Sequence, residues 1–379
     1  MGEPREANVA ALSAELDALW RSASGESAGH VSVTRACALT LLIFTESEDA
    51  ASEVSKLLGP LTLQNPCRAL ILVVRPEDKP AGVSGWISAV CQLPAPGEKQ
   101  VCCEHVTIVA RGARVQDLDK VVVPLMVSGL PVGLWWRAGR ATRLEQFEKI
   151  LRYVDRVYVD SEWFPDPEAG LPALAEVIRK SSGRAAITDL NWARLTPWRE
   201  LAAECFDSPD TRPYLIRINE VRIEYRQGGC SRNHCLGQGL LLVAWLAGRL
   251  SWKSEGPWPG QASRTGTEEG PSRAFRFQGP PGEIRVQLVP QTGGPACSAG
   301  FLSVELTAAG NPAASFSLTC GGDSKSVVSQ TALPGHPPVE HTSCLEVFDE
   351  IGLLNEELKF SSRDRIYEEA LAMIASMTQ

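Results

Sequence analysis

The sequence predicts two domains of different construction: an α/β N-terminal domain with a mostly parallel sheet (1–185) and an α+β C-terminal domain with an antiparallel sheet and helices (186–379). Three observations predict this. A chain of 379 residues carries a prior of two domains. Its first half alternates short apolar runs with helical patterns, the rhythm of a layered α/β sheet. Its second half collects alternating strands in a block and places helices at the ends, which implies α+β.

The elements follow in order. Val9, Leu12, Leu16, Leu19 and Trp20 recur at helical spacing over 6–22. Continuous apolar runs occupy 36–44, 69–74, 106–110, 132–136 and 157–159, as in strands buried on both faces. Helical patterns separate them at 48–58, 115–127, 142–153 and 171–181, while 83–104 breaks the rhythm with an extra strand or hairpin. Beyond 185, residues 214–225 alternate as one long strand, and 233–250 form a helix. The Gly, Pro, Ser and Glu-rich stretch 253–272 reads as a mobile surface loop. Strands follow at 274–277, 284–289, 301–307, 314–320 and 326–331, then helices at about 345–357 and 363–376.

Composition narrows the function classes. Net charge is -8 and the sequence pI about 5.4, which argues against a nucleic-acid partner. No apolar run reaches the length of a membrane-spanning helix, and 1–7 has no apolar core of a signal peptide, so a cytoplasmic protein is expected. The eleven cysteines are odd in number and irregularly spaced, which favours free thiols over a disulfide framework. Cys37, Cys67 and Cys205 lie among apolar neighbours and read as small core residues.

Chemistry-bearing motifs are sparse. No Gly-x-Gly-x-x-Gly, phosphate loop or His-Glu-x-x-His occurs, and no Gly-x-Ser-x-Gly elbow follows a predicted strand. Gly237 and Gly239 sit in a helical pattern, where close packing accounts for them. Cys230, His234 and Cys235, like Cys102, Cys103 and His105, lack zinc-site spacing, so no metal is expected. Cys230 and Cys235 are candidate redox thiols, since a helix N-terminus and Arg232 would stabilise a thiolate; the alternative is a pair of inert, partly buried cysteines. Asp160 and Ser161 end one predicted strand and Trp136 ends another, at the edge where open α/β sheets collect ligands. Helix capping and core packing are the competing explanations. The densest signal is the run 189–200, where Trp192, Arg194, Trp198 and Arg199 mark either a partner-binding surface or an interdomain seam.

That run, Leu134-Trp135-Trp136, the 155–161 segment, the 240–250 helix and the closing Asp364-Arg365-Ile366-Tyr367 together resemble the glucose-6-phosphate dehydrogenase assembly protein family, OpcA. Arg35-Ala36-Cys37 and Pro66-Cys67-Arg68 add to the likeness, which extends from about residue 30 to the C-terminus. Asn65 stands where the family often has His, so a role needing an imidazole there does not transfer. The resemblance implies a protein with no catalysis or cofactor of its own, which binds oligomeric glucose-6-phosphate dehydrogenase and supports the oxidative pentose phosphate pathway. In cyanobacterial members it implies a link to thioredoxin. Two other classes stay open: a sugar-phosphate sensor using the Asp160–Ser161 edge, and an uncharacterised enzyme in the same parallel-sheet crevice.

Overall fold

The fold comes from a computed structural model that describes residues 5–6, 12, 14–16, 18, 33–35, 37–92, 100–137, 144–180, 184–227, 235–256, 266–267, 270–297, 300–360 and 362–377. Two compact units emerge, each assembled from separated segments. The first takes Met1–Asp160, Ser181–Thr188 and Asp349–Arg363; the second takes Ser161–Lys180, Asp189–Phe348 and Asp364–Gln379. These units cross the expected division at 185/186, since 161–180 and 349–363 each lie on its other side. A change of strand pattern marks where one sheet stops, but helices are assigned by what they pack against, and 161–180 and 349–363 each join the unit that the simple division denied them.

In the first unit the strands are β1 (Arg5–Glu6), β2 (Val33–Arg35), β3 (Leu39–Thr45), β4 (Cys67–Arg75), β5 (Gly82–Gln92), β6 (Gln100–Arg111), β7 (Val132–Trp136), β8 (Arg156–Val159) and β9 (Ala186–Asp189). They form one sheet in the order β1-β5-β6-β4-β3-β7-β8-β9, with β2 also on β6. The pairs β3–β4, β3–β7, β4–β6 and β7–β8 are parallel, as the continuous apolar runs require. The interruption at 83–104 is an antiparallel pair, β5 on β6. Between strands lie α1 (Glu48–Gln64), α2 (Leu118–Val122) and α3 (Leu144–Ile150). The Ser47 side chain caps α1 by accepting from the Ala50 N–H at 3.1 Å, and the helix runs six residues beyond the expected end at 58. Much of the predicted helix at 6–22 lies outside the described residues, although Leu12 and Leu16 are buried.

The 349–363 segment carries α9 (Glu350–Leu358) and is held by two arginines of the parallel sheet. Arg137, just after β7, forms a bidentate pair with Glu350, both bonds at 2.9 Å. Arg156 of β8 donates to the Phe360 and Ser362 carbonyls at 3.0 and 2.7 Å and pairs with Glu357 at 3.3 Å. Asn65 adds an amide bond to Asn355 at 2.8 Å. These charges are largely removed from water, so losing one partner strands the other at a cost of about 3–5 kcal/mol.

In the second unit, α4 (Pro167–Lys180), α5 (Leu190–Arg194), α6 (Thr196–Glu204) and α7 (Arg212–Leu215) precede β10 (Ile218–Arg226) and α8 (Cys235–Arg249). The long strand expected from 214 therefore starts four residues later, after a short helix that Pro213 opens. β11 (Lys253–Ser254), β12 (Gly266–Thr267) and β13 (Gly270–Pro271) fall in the stretch expected to be a mobile surface loop, most of which lies outside the described residues. β14 (Arg273–Gly279), β15 (Gly282–Gln291), β16 (Phe301–Ala308), β17 (Ala314–Cys320), β18 (Ser326–Ala332) and β19 (Val339–Cys344) complete the block, and α10 (Arg365–Met377) follows. The eight-stranded sheet runs β11-β14-β15-β10-β16-β17-β18-β19. It is antiparallel except for β10 on β15, a parallel pair that the sequence did not reveal. α8 approaches the sheet closely because Gly239 leaves room: a Cβ there would stand 3.3 Å from Leu288. No helix among the described residues is long and apolar enough to cross a membrane.

His105 of β6 lies between Ala69 of β4 and Ser88 of β5, fully buried, and neither ring nitrogen has a hydrogen-bond partner among the described residues. Burial lowers its pKa from 6.5 to about 4. The unfolded chain therefore binds a proton near pH 6.5 that the folded chain refuses until about pH 4. His105 leaves stability intact above the unfolded value and withdraws it as pH falls through that window, by about 3 kcal/mol in all. Urea unfolding of His105→Leu beside the parent chain at pH 7.5 and pH 4.5 is expected to show a shallower loss in the variant. An equal loss in both proteins would remove His105 as the acid-sensitive group.

Candidate functional site

The site is built on Asp189, where β9 turns directly into α5. Its backbone is still extended (φ -124, ψ 119), the geometry of a helix cap, and its side chain is fully buried. One carboxylate oxygen accepts the N–H groups of Asn191 and Ser161, both at 2.9 Å. The other accepts the Tyr367 hydroxyl of α10 at 3.1 Å. Asn191 in turn donates its side-chain amide to the Ser161 hydroxyl at 3.0 Å. Three chain segments of the second unit thus end on one anion, each supplying a donor that burial has cut off from water.

Asp364 repeats the device one turn away. It accepts the Tyr367 N–H at 2.9 Å and the Trp192 indole N–H at 2.8 Å. The Trp192 ring is tilted against Tyr367 with centroids 5.6 Å apart. On Trp192 rests the Arg199 guanidinium, 3.6 Å from the ring centroid, which also donates to the Thr196 hydroxyl at 2.8 Å. Arg194 pairs with Glu162 at 3.3 Å. Trp198 is fully buried and meets Phe301 edge-on at 5.2 Å.

Trp192 and Arg199 therefore come together, while Arg194 and Trp198 serve separate contacts. Both tryptophans are buried, which of the two expected readings favours internal packing over a partner-binding surface for these rings. Arg194 and Arg199 are half-buried and turn their guanidinium groups inward. All four lie in the second unit, whose segment begins at Asp189.

The supposed ligand edge divides as well. Ser161 is buried in the Asp189 network, and Asp160, at the end of the first unit's segment, is 2% exposed. Trp136 stacks on Phe44 at 4.0 Å and 15°, with Phe147 edge-on at 4.6 Å. This cluster sits where β3 has β4 on one side and β7 on the other, the point where the strand order reverses and such sheets usually receive a ligand. After β3 the chain enters α1 through Ser47, Glu48 and Asp49, so its first turn carries carboxylates where a phosphate site needs bare N–H groups. Three buried aromatic rings occupy that position.

The cysteines correct the free-thiol expectation in part. Cys297 and Cys320 form a disulfide, and Cys235, at the start of α8 and 1% exposed, is also disulfide-bonded. Cys230 lies outside the described residues. Cys67 is buried and its thiol is pushed well up by burial and then by Cys103 and Cys37, whereas Cys37 and Cys205 are only half-buried. Spacing along the chain gave no sign of the Cys297–Cys320 pair, because a β-sheet brings cysteines 23 residues apart to a Cα separation of 5.6 Å.

Sequence reasoning also missed the roles of Tyr367 and Asp364. Their motif was visible in the sequence; that it closes on the 189–200 run, some 170 residues earlier, was not. The arrangement as a whole binds helix ends, a phenol and one indole ring to two carboxylates whose acceptor positions face internal donors.

Two families of known domains match this chain. The family of C-terminal domains of the glucose-6-phosphate dehydrogenase subunit matches residues 185–371, and the family of the corresponding N-terminal domains matches 60–176. The OxPP cycle protein OpcA of Synechocystis sp. (strain ATCC 27184) is 28% identical over 333 residues, covering 86% of this chain and 66% of that protein. Its namesake in Nostoc punctiforme is 34% identical over 200 residues, covering 52% and 41%. The chain's matches thus span less than two thirds of the length of either relative. Among solved structures, the transcriptional regulator Gal80p from Kluyveromyces lactis aligns with a TM-score of 0.48 at 10% identity, covering 89% of this chain and 87% of that one.

Removing the Asp189 carboxylate leaves two N–H groups and a phenol without acceptors. Asp189→Ala is expected to destabilise the chain by about 3 kcal/mol or more in urea unfolding. Asp189→Asn, which keeps an acceptor for the two N–H groups, is expected to cost less than half as much. Equal losses in the two variants would show that packing, not hydrogen bonding, dominates at this position.

Proposed function

Given that the chain belongs to the glucose-6-phosphate dehydrogenase assembly protein family, OpcA, we propose that it performs no bond-making and instead binds the dehydrogenase, favouring its active oligomer. The observation that carries the non-catalytic reading is the filled switch point of the parallel sheet. Trp136, Phe44 and Phe147 take up the position where a nucleotide or sugar phosphate would lie, and Glu48 and Asp49 oppose an anion at the helix start beside it. The buried Asp160 and Ser161 weigh against the sensor reading for the same reason: a ligand cannot reach them without unpacking the strand ends.

An activator acts by binding the active state of its partner more tightly than the inactive one. Its own requirement is a rigid surface, and the Asp189 and Asp364 networks supply rigidity. The function is exercised in the cytoplasm, where the dehydrogenase works. The disulfides at Cys235 and Cys297–Cys320 are the bonds that a thioredoxin would exchange.

Size-exclusion chromatography of the purified chain with its own organism's dehydrogenase, with activity followed across the peak, tests the reading. Co-elution and a change in kcat or KM of about fivefold or more are expected, while the chain alone forms no NADPH from glucose 6-phosphate and NADP. Independent migration with unaltered kinetics, in oxidising and reducing buffer alike, would end it.

A further inference from the structure

β19 (Val339–Cys344) closes the eight-stranded sheet and pairs with β18 alone, in a continuous register from Thr331↔Val339 to Ser326↔Cys344. Its far side faces no strand among the described residues, so alternate N–H and C=O groups along about 20 Å of backbone point outward. Five of its six residues are exposed, and Val339 keeps 66% of its surface. Proteins usually blunt such an edge with lysine, proline or a bulge. This strand has the sequence Val-Glu-His-Thr-Ser-Cys, with no lysine or proline and no bulge in its register, and its one charged side chain, Glu340, accepts from Gln330 of β18 at 2.7 Å. Its weak apolar pattern hid it in the sequence, where the strands ended at 331.

Beside this edge opens a cavity of about 500 Å³. Thr331, Val339 and His341 line the sheet side; Leu201, Glu204 and Asp210 line the other. Val339 and His341 are two apart, so they share one face of the strand, and residues of an added strand would alternate in the same way. No lysine or arginine lines the cavity. Glu204 and Asp210 are exposed and form no ion pair among the described residues. Burial, and secondarily the charge of Glu204, pushes the neighbouring Cys205 thiol up to about 11. The cavity is therefore complementary to a cation on an apolar stem.

We infer that β19 receives an extended segment of a partner protein as an additional strand, with a lysine or arginine side chain of that segment seated between Glu204 and Asp210. A second copy of the chain is the poorer occupant, since residues 339–344 hold no cationic side chain to place there. Resting on the function proposed above, the partner is the dehydrogenase. Backbone hydrogen bonds along the edge supply affinity, and the acidic cavity selects the register.

Hydrogen exchange read by mass spectrometry over 339–344, for the chain alone and mixed with its own organism's dehydrogenase, tests this. Exchange across β19 is expected to slow by about tenfold or more in the complex. The double variant Glu204→Lys/Asp210→Lys, at two exposed positions, is expected to keep the circular dichroism of the parent and to bind about tenfold more weakly. A complex that forms with unchanged exchange at 339–344, or with undiminished affinity in the double variant, overturns the edge inference and leaves the function standing. No complex at all overturns both. Protection of β19 that grows with the concentration of the chain alone gives the edge to a second copy and also overturns the inference.

Discussion

A single buried carboxylate holds the second unit to its shape. Asp189 has no contact with water, and a lone anion in that position would be prohibitively costly. It is tolerated because a strand-to-helix turn, the start of the 161–180 segment and the last helix each direct a donor to it. The dependence is mutual. The Ser161 and Asn191 N–H groups are freed by the ends of regular structure, and burial leaves them no water, so Asp189 is their acceptor. A site of this type rewards one arrangement of three distant segments and penalises every other, which is how a polar core contributes uniqueness more than raw stability.

The first unit uses charge in the same manner. Arg137 and Arg156 leave the ends of adjacent parallel strands, and Glu350 and Glu357 come from a helix two hundred residues later. Arginine suits both tasks, since its planar fork bonds a carboxylate through two nitrogens or two carbonyls through the two N–H bonds of one nitrogen. With these pairs in place, the 349–363 segment belongs to a sheet that its sequence position would not suggest. Apolar burial stabilises each core without direction; the paired charges decide which segment completes which core.

Directional packing also shapes the crevice of the parallel sheet. A parallel sheet offers a crevice at its switch point as a by-product of strand order. Here indole and phenyl rings fill that crevice, and carboxylates stand at the adjacent helix start. Fold alone therefore says little about activity. Under the proposed function, the surface used for recognition lies elsewhere, at an exposed strand edge next to an acidic cavity.

By itself the sequence determined the layered classes of both halves, the buried strand runs at 36–44, 69–74 and 132–136, the series of strands from 274 to 331, and the family. Continuous apolar runs, period-two alternation and residue clusters are local properties, each readable within a dozen residues. Tertiary structure alone decided the exchange of 161–180 and 349–363 between units, the parallel pairing of β10 with β15, the disulfide, the burial of both tryptophans in the 189–200 run, and the exposed strand at 339–344. Trp192 shows the reason. Its identity as an anchor was legible, but whether an indole faces solvent or Asp364 depends on a residue 172 positions away, and no local pattern encodes a contact whose two halves meet only after the chain has closed.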